Sequence, residues 1–235
     1  MIDFHSHILP GIDDGSRSVE MSLQMLAAMR QQKIDTVVAT SHFYATQRTP
    51  HRFLERREAA WESLADALPA DAPEIILGAE VLYFPGISHM AELPQLCMEG
   101  SNILLLEMPF DSWSEYYIRE VMELARSGEF TIVMAHIERY YFKQPVSVWD
   151  DFLEEGILMQ SNADFFLPFR TRRKALKLLQ DGRIHLLGTD AHNVSSRPPR
   201  MDEAVEMIRR HLGKAPLNEM DRLGRALLRE AGYES

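Results

Sequence analysis

The sequence predicts an α/β fold in which a parallel sheet, covered by helices, closes into a barrel. Short apolar runs alternate with longer amphipathic stretches along the chain. Most of the apolar runs end in polar residues that can carry chemistry, as the carboxyl ends of barrel strands do. The chain has 235 residues, of which 46% are hydrophobic, and this suits one domain over 1–235 with a sizeable core. A doubly wound open sheet is the alternative architecture.

Each predicted strand is a short apolar run that ends at polar residues. The predicted strands cover 2–4, 36–40, 74–79, 103–106, 131–135, 157–160 and 184–187. Each predicted helix is a longer stretch with apolar residues at helical spacing. The predicted helices cover 19–32, 53–68, 116–127, 148–154, 171–180, 202–211 and 218–230. Proline and glycine separate the elements, as at Pro10-Gly11 and Pro198-Pro199.

Charge and cysteine content restrict the function. The net charge is −10, which argues against nucleic acid as a general partner but allows an anionic substrate held by local positive charge. No apolar run approaches the ~18 residues of a membrane span, and the amino terminus lacks the pattern of an export signal. We therefore expect a cytoplasmic protein without membrane insertion. Because Cys97 is the only cysteine, any metal must be held by His and carboxylate side chains.

Two histidine-containing pairs end the first and last predicted strands. His5 and His7 are two residues apart, and side chains alternate along a strand, so both imidazoles point to the same face. Asp190 and His192 repeat this spacing at the last strand. In a closed barrel the last strand lies next to the first, and the two pairs would face each other. One such pair alone can arise by chance, but two facing pairs favour a metal site.

Other strand ends also carry metal-ligand types, namely His42, Glu80, Glu107 and His136. A carboxylate buried after an apolar strand costs several kcal/mol unless it is paired or binds a cation. Each acid taken alone could pair with an arginine or lie in solvent. The whole set at one barrel mouth favours divalent metal binding.

Two further motifs fit the same mouth. The turn at 11–15 either bends Asp14 back over the strand ends or is only an aspartate-rich turn before a helix. Arg139 and Arg197 follow predicted ligands and either hold phosphate oxygens or form surface ion pairs.

These residues together resemble the polymerase and histidinol phosphatase (PHP) superfamily. The resemblance is carried by HSHILPGIDDG at 5–15, Glu80, Glu107, AHIERY at 135–140, and TDAHN at 189–193 followed by Arg197-Pro-Pro. Within the superfamily the chain is most similar to the manganese-dependent tyrosine-protein phosphatases of bacterial capsule and exopolysaccharide operons. The resemblance implies a distorted (β/α)7 barrel, TIM-like, that hydrolyses phosphotyrosine in the tail of a bacterial tyrosine kinase.

The resemblance also implies three metal ions, with Mn²⁺ indicated by the family and Fe, Co or Zn compatible with the same ligands. Arg139 and Arg197 would hold the phosphate of the substrate. The implied ligand sets are His5, His7 and Asp190 with Glu107 shared; Glu107, Glu80 and His136; and Asp14, His42 and His192. The chain departs from many relatives at Ser6 and at Phe43-Tyr44-Ala45, and these departures affect the expected substrate more than metal binding.

Several rival functions remain open from the sequence. A thiol-based tyrosine phosphatase needs an arginine six residues after its cysteine, but Ile103 occupies that position after Cys97. Histidinol phosphate hydrolysis and nuclease activity use the same barrel mouth with different loops. A metal-bound regulatory module that docks on a kinase tail is the rival from another class. The sequence leaves homo-oligomerisation open.

Overall fold

Every predicted strand is present in the computed structural model of the chain, which describes residues 1–230. The apolar runs form strands because their side chains are buried on both faces of the sheet. The strands are β1 Ile2–Ser6, β2 Thr36–Ala39, β3 His42–Phe43, β4 Glu74–Leu77, β5 Glu80–Leu82, β6 Ile103–Glu107, β7 Thr131–Met134, β8 Leu158–Asn162 and β9 Leu186–Gly188.

Two short strands lie beyond the predicted ranges. After a break in each case, β3 follows the predicted strand at 36–40, and β5 follows the predicted strand at 74–79. Backbone hydrogen bonds from Gly78 N to Ala39 O (2.9 Å) and from Glu80 N to Ser41 O (3.0 Å) hold the two breaks side by side. Such irregularities change the direction of the side chains that follow. The breaks therefore lie where His42 and Glu80 enter the barrel mouth.

The sheet is parallel and closes on itself, which confirms the predicted barrel. β1 pairs with β2 and β2 with β4, while β3, β5, β6, β7, β8 and β9 pair in that order. Closure runs between β1 and the segment after β9, through His7 N to Ala191 O (2.9 Å) and Asp190 N to His5 O (2.7 Å). Counting each interrupted strand once gives seven positions within residues 1–230. This matches the distorted (β/α)7 architecture that the resemblance implied.

The helices agree with the prediction except at some ends. α2 begins at Pro50 rather than 53 because Thr49 caps it, accepting a hydrogen bond from Arg52 N, and proline is tolerated in the first turn. α7 begins at Ala215 rather than 218, again with a proline in its first turn. The helices are α1 Val19–Gln31, α2 Pro50–Ala65, α3 Glu115–Arg126, α4 Val146–Glu154, α5 Phe169–Gln180, α6 Met201–Leu212 and α7 Ala215–Glu230.

Helix α7 covers the end of the barrel where β1 begins. Its Leu228 joins a buried cluster with Ile2 and Phe4 of β1. Its Gly224 lies so close that a Cβ atom there would be 2.6 Å from Phe4 Cε2. Since this end is filled by apolar side chains, only the opposite end, where the strands finish, is available for polar chemistry.

Candidate active site

The structure places all nine predicted metal ligands at the carboxyl ends of the strands or in the adjoining turns. Four groups of potential ligands form there, and within each group the donor atoms lie within 4.8 Å of one another. The groups are His5, His7 and Asp190; His5, Glu80 and His136; His42, Glu80 and Glu107; and His7, Asp14, His42 and His192.

The first group has the composition that the resemblance implied. The Nε2 atoms of His5 and His7 are 3.1 Å apart. Asp190 Oδ1 is 3.7 Å from His5 Nε2 and 3.4 Å from His7 Nε2. These three side chains are buried, so they form one enclosed cluster of nitrogen and oxygen donors.

Glu80 is the central acid of the cluster. Its Oε1 lies 2.6 Å from His136 Nε2, and its Oε2 lies 3.2 Å from His5 Nε2 and 2.8 Å from His42 Nδ1. Glu107 Oε1 is 3.2 Å from His136 Nε2. The resemblance implied that Glu107 is shared with the first ligand set, whereas in this structure Glu107 groups with His42 and Glu80.

The fourth group, which contains Asp14, lies nearer the solvent. Asp14 Oδ1 is 3.4 Å from the Nε2 atoms of both His42 and His192. Asp14 is 66% exposed, whereas His192 is buried. The turn at 11–15 therefore carries Asp14 over the strand ends, which was one of the two interpretations of that motif.

Hydrogen bonds on Nδ1 orient several of the imidazoles. Nδ1 of His7 lies 2.8 Å from Asp13 Oδ2, and Nδ1 of His192 lies 2.9 Å from the carbonyl oxygen of Asp190. Nδ1 of His5 lies 3.2 Å from Gln160 Oε1. In each case an acceptor faces Nδ1 and favours the tautomer with its proton there. Nε2 then offers a lone pair to the centre, as metal-binding histidines require.

Asp13 holds the first and fourth groups together, and sequence reasoning did not select it. Besides His7 Nδ1, its carboxylate accepts hydrogen bonds from the backbone N–H groups of His42 and Gly15, both at 2.9 Å. Burial alone lowers the pKa of His7, but the charge of Asp13 and the hydrogen bond to it raise that pKa well above its usual range. The sequence feature that could have identified Asp13 is the GIDDG turn at 11–15, which contains it next to Asp14.

Gln160 and Asn162 are two further positioning residues that sequence reasoning did not select. Gln160 Oε1 accepts a hydrogen bond from the backbone N–H of His136 at 2.7 Å. Asn162 Nδ2 donates to Asp190 Oδ2 at 2.8 Å. The sequence feature that could have identified them is the polar Gln-Ser-Asn end of β8, because side chains two residues apart on a strand lie on the same face.

The acids and imidazoles of the mouth shift one another's pKa values. Burial alone raises the pKa of Glu80, but the charge of His5 and the hydrogen bond and charge of His136 bring it well below its usual range. Burial alone lowers the pKa of His136, but hydrogen bonds to Glu107 and Glu80 raise it to about 10. The mouth therefore stabilises added positive charge.

The donor set fits divalent cations. Within residues 1–230, the buried atoms His136 Nδ1 and His192 Nε2 make no hydrogen bond, and His42 Nδ1 and Glu80 Oε2 lie 2.8 Å apart without forming one. Buried polar atoms normally have partners, so these atoms indicate an additional group.

The charge balance of the mouth also favours cations. The mouth contains two guanidinium groups, those of Arg139 and Arg197, and five carboxylates, those of Asp13, Asp14, Glu80, Glu107 and Asp190. With neutral imidazoles, three negative charges are uncompensated.

Two predicted ligands have unusual backbone conformations. The backbone φ is +28° at His136 and +51° at Asp190, and Lys33 is the remaining non-glycine residue of 1–230 with a positive φ. Such conformations cost on the order of 1–3 kcal/mol each and persist where the surrounding structure imposes them. They aim the His136 and Asp190 side chains into the mouth.

The two predicted phosphate-binding arginines reach the same place. Arg139 and Arg197 both contact the carboxylate of Asp190, Arg197 at 2.8 Å. Both side chains are partly exposed, at 35% and 39%. They therefore border the cluster on its solvent side.

Cys97 lies outside the mouth and is buried. Burial raises the pKa of its thiol to about 12, so the thiolate needed for nucleophilic catalysis is not formed at neutral pH. This agrees with the sequence argument against a thiol-based phosphatase.

Comparison with known proteins identifies the family. A family model described as capsular polysaccharide synthesis, CpsB/CapC, matches residues 1–223. The chain belongs to the CpsB/CapC family. The tyrosine-protein phosphatase CpsB of Streptococcus pneumoniae is 29% identical to this CpsB/CapC chain over 237 residues, with 94% of each covered. The tyrosine-protein phosphatase YwqE of Bacillus subtilis is 29% identical over 219 residues, covering 91% of this chain and 85% of YwqE.

Solved structures agree with the family and the fold. A crystal structure from a study of YwqE and the pneumococcal CpsB, described as unique metal-dependent tyrosine phosphatases, matches with a TM-score of 0.84 and 25% identity. It covers 98% of this CpsB/CapC chain, and 95% of its own chain is matched. A phosphotriesterase homology protein from Escherichia coli, with a TM-score of 0.53 and 10% identity, shares the fold alone. The family resemblance inferred from the motifs is thereby confirmed.

A search for membrane spans gave none. Within residues 1–230, none of the helices combines the length and the apolar character that crossing a membrane requires.

Proposed function

We propose that this chain is a metal-dependent phosphomonoester hydrolase and, within that class, a protein-tyrosine phosphatase. The observation that carries the proposal is the convergence of five imidazoles and four acids at one barrel mouth, bordered by two arginines. The names of the relatives, which are tyrosine-protein phosphatases, support the same conclusion.

The proposed ligand sets follow the resemblance and the geometry. His5, His7 and Asp190 would hold one ion, and Asp14, His42 and His192 a second. Glu80 and His136 would hold a third together with Glu107, whose Oε1 is 3.2 Å from His136 Nε2. Bound divalent cations would supply charge neutralisation on the phosphoryl group and activation of the attacking water. We propose Mn²⁺ as the ion, although Fe, Co and Zn accept the same ligands.

Arg139 and Arg197 would bind the non-bridging phosphoryl oxygens. A guanidinium group forms two parallel hydrogen bonds to such oxygens, which fixes the orientation of the phosphate. In this structure both arginines contact Asp190, so they are held at the mouth before the substrate arrives. They also explain how a chain of net charge −10 accepts a dianion, because the local charge differs from the global charge.

Aromatic side chains at the mouth favour an aryl phosphate. Phe110 is 43% exposed, and its ring centroid lies 5.9 Å from that of His136 and 5.5 Å from Arg139 Cζ. Tyr44 stacks on His42 with a centroid distance of 5.1 Å. Phe110 would pack against the tyrosine ring of a substrate. Phenolate, with a parent pKa near 10, also leaves more readily than a serine alkoxide.

We further propose that the substrate is the phosphorylated tail of a tyrosine autokinase that controls capsule or exopolysaccharide synthesis. The family description, capsular polysaccharide synthesis, supports this assignment. Such a tail would be met in the cytoplasm, where we place the chain as a single domain over 1–235.

The test compares substrates under metal control. Purified protein with Mn²⁺ should hydrolyse p-nitrophenyl phosphate and phosphotyrosine peptides, and a chelator or His136→Ala should abolish most of this turnover. Faster turnover of histidinol phosphate or of single-stranded DNA would replace the proposal with a rival hydrolase. Binding of a phosphorylated kinase tail without turnover would favour the regulatory module.

A further inference from the structure

Helix α5 carries a stripe of like charges. Arg170, Arg173, Lys174 and Lys177 recur at the three- and four-residue spacing that places them on one exposed face. Like charges at this spacing destabilise a helix, and cations near its amino end oppose the helix dipole. The first turn of α5 has no acidic residue that would offset this cost. Helix formation therefore does not explain the stripe.

Most of the stripe has no carboxylate partner in the described part of the chain. Only Lys177 of the four has an acidic oxygen within 4 Å among residues 1–230, that of Asp181 at 2.5 Å. By contrast, the exposed Arg126 of α3 pairs with Glu155 at 2.6 Å. In a chain of net charge −10, this face is a local excess of positive charge.

Apolar groups accompany the cations. A groove of about 830 Å³ runs beside the stripe, lined by residues that include Phe169, Arg173, Leu176 and His211. Phe169 is 89% exposed. Phe142 is also exposed, and Lys174 Nζ lies 4.5 Å from its ring centroid. Isolated exposed phenylalanines are common, but two beside one cationic stripe form a surface suited to a mixed acidic and apolar ligand.

The first turn of α5, where the stripe begins, borders the proposed phosphate site. A cavity of about 290 Å³ is lined by Arg139, Asp190 and Arg197, and also by Pro168 and Thr171 at the start of α5. A peptide whose phosphotyrosine occupies the mouth therefore reaches the first turn of α5 without crossing another element.

We propose that the α5 basic face, defined by Arg170, Arg173, Lys174 and Lys177, binds acidic residues that flank the phosphotyrosine of the substrate protein. The inference rests on the proposed function and adds a substrate class to it: acidic phosphotyrosine segments. An anionic membrane would also attract the cations. The cavity favours the peptide because it extends from the site of hydrolysis to the first turn of α5, where the basic face begins.

The test uses the full chain loaded with Mn²⁺ and two phosphotyrosine peptides. One peptide carries glutamates on both sides of the phosphotyrosine, and the other carries glutamines at the same positions. The test variant combines Arg170→Gln, Arg173→Gln and Lys174→Gln. The control variant combines Arg30→Gln, Arg126→Gln and Arg222→Gln, which removes the same number of exposed charges from α1, α3 and α7.

Three exposed ion pairs correspond to about a tenfold preference. We therefore expect wild type and control to favour the glutamate peptide by about tenfold in kcat/KM at low ionic strength, mainly through KM. The test variant should lose this preference, and high salt should reduce it in wild type. Turnover of p-nitrophenyl phosphate should be equal in all three proteins, because that substrate does not reach α5.

Equal kcat/KM for both peptides in wild type would overturn the inference and leave the phosphatase assignment intact. So would a test variant that keeps the preference. If the test variant keeps the preference for the glutamate peptide but loses binding to vesicles containing phosphatidylglycerol, the α5 basic face is a membrane-binding surface instead. Absence of Mn²⁺-dependent turnover on all three substrates would overturn the proposed function together with the inference.

Discussion

Asp13→Asn tests whether a hydrogen bond behind the site controls metal binding. The carboxylate of Asp13 accepts from the backbone N–H groups of His42 and Gly15 and lies 2.8 Å from His7 Nδ1. Asparagine keeps the shape but has one acceptor oxygen and one NH₂ donor group. The two backbone donors reach different oxygens, Gly15 N at Oδ1 and His42 N at Oδ2, and His7 Nδ1 also lies at Oδ2. In either orientation of the amide, its NH₂ group therefore faces a backbone N–H group. The neutral amide also removes the charge that raises the pKa of His7.

The expected loss follows from removing the charge behind His7 and one of the hydrogen bonds that hold Asp13 in place. Loss of a hydrogen-bond partner behind a metal-binding histidine lowers metal affinity by about 10- to 100-fold. This corresponds to about 1.4–2.7 kcal/mol. Because Asp13 touches His7 and His42, which belong to different ligand sets, we expect more than one ion to be affected.

The assay is a Mn²⁺ titration of p-nitrophenyl phosphate hydrolysis on metal-free protein, with metal content measured by elemental analysis. The concentration for half-maximal activity should rise 10- to 100-fold, and saturating Mn²⁺ should restore most of the turnover. Asp66→Asn, which removes one exposed charge at the end of α2, is the control and should titrate like wild type. Superimposable titrations of wild type and Asp13→Asn would refute the argument that Asp13 supports His7 as a metal ligand.

Three further predictions concern the substrate, the protons of the site and the core. Phe110→Ala should lower kcat/KM for phosphotyrosine by about 2- to 10-fold, the equivalent of ~0.5–1.5 kcal/mol of aromatic packing, with a smaller effect on an alkyl phosphate; equal losses on both would contradict a contact with the ring. The pKa values of His7 and His136 are raised, to about 10 for His136, so both are protonated at pH 7 without metal and must lose protons when cations bind. Adding Mn²⁺ to metal-free protein at pH 7 should therefore release protons into an indicator solution, metal affinity should rise with pH, and His136→Gln should release about one proton fewer. Gly224→Ala places a Cβ atom 2.6 Å from Phe4 Cε2, and overpacking of about 1–3 kcal/mol, partly offset by about 1 kcal/mol of helix propensity, should lower the Tm by a few degrees. A Tm at or above that of wild type would show that Phe4 moves aside freely.

The sequence by itself determined the order and type of the elements. Alternation of apolar runs and amphipathic stretches predicted seven of the nine strands and the seven α-helices described within residues 1–230, because burial on both faces of a parallel sheet requires continuous apolar residues. The short strands β3 and β5 lie beyond the predicted ranges. Helix ends were less well predicted, since Thr49 and Pro50 start α2 through local capping rather than through apolar spacing. The His5/His7 and Asp190/His192 spacing also located most of the candidate site, because alternation along a strand is a local property.

Only the tertiary structure decided which atoms meet. The strand breaks before His42 and Glu80 change side-chain direction by amounts that no residue pattern specifies, and they make Glu80 the central acid of the cluster. The roles of Asp13 and Gln160 likewise depend on contacts between segments far apart in the chain, such as His5 and Gln160. Hydrophobic periodicity records whether a residue is buried, whereas hydrogen-bond partners depend on barrel closure, which brings the first and last strands together.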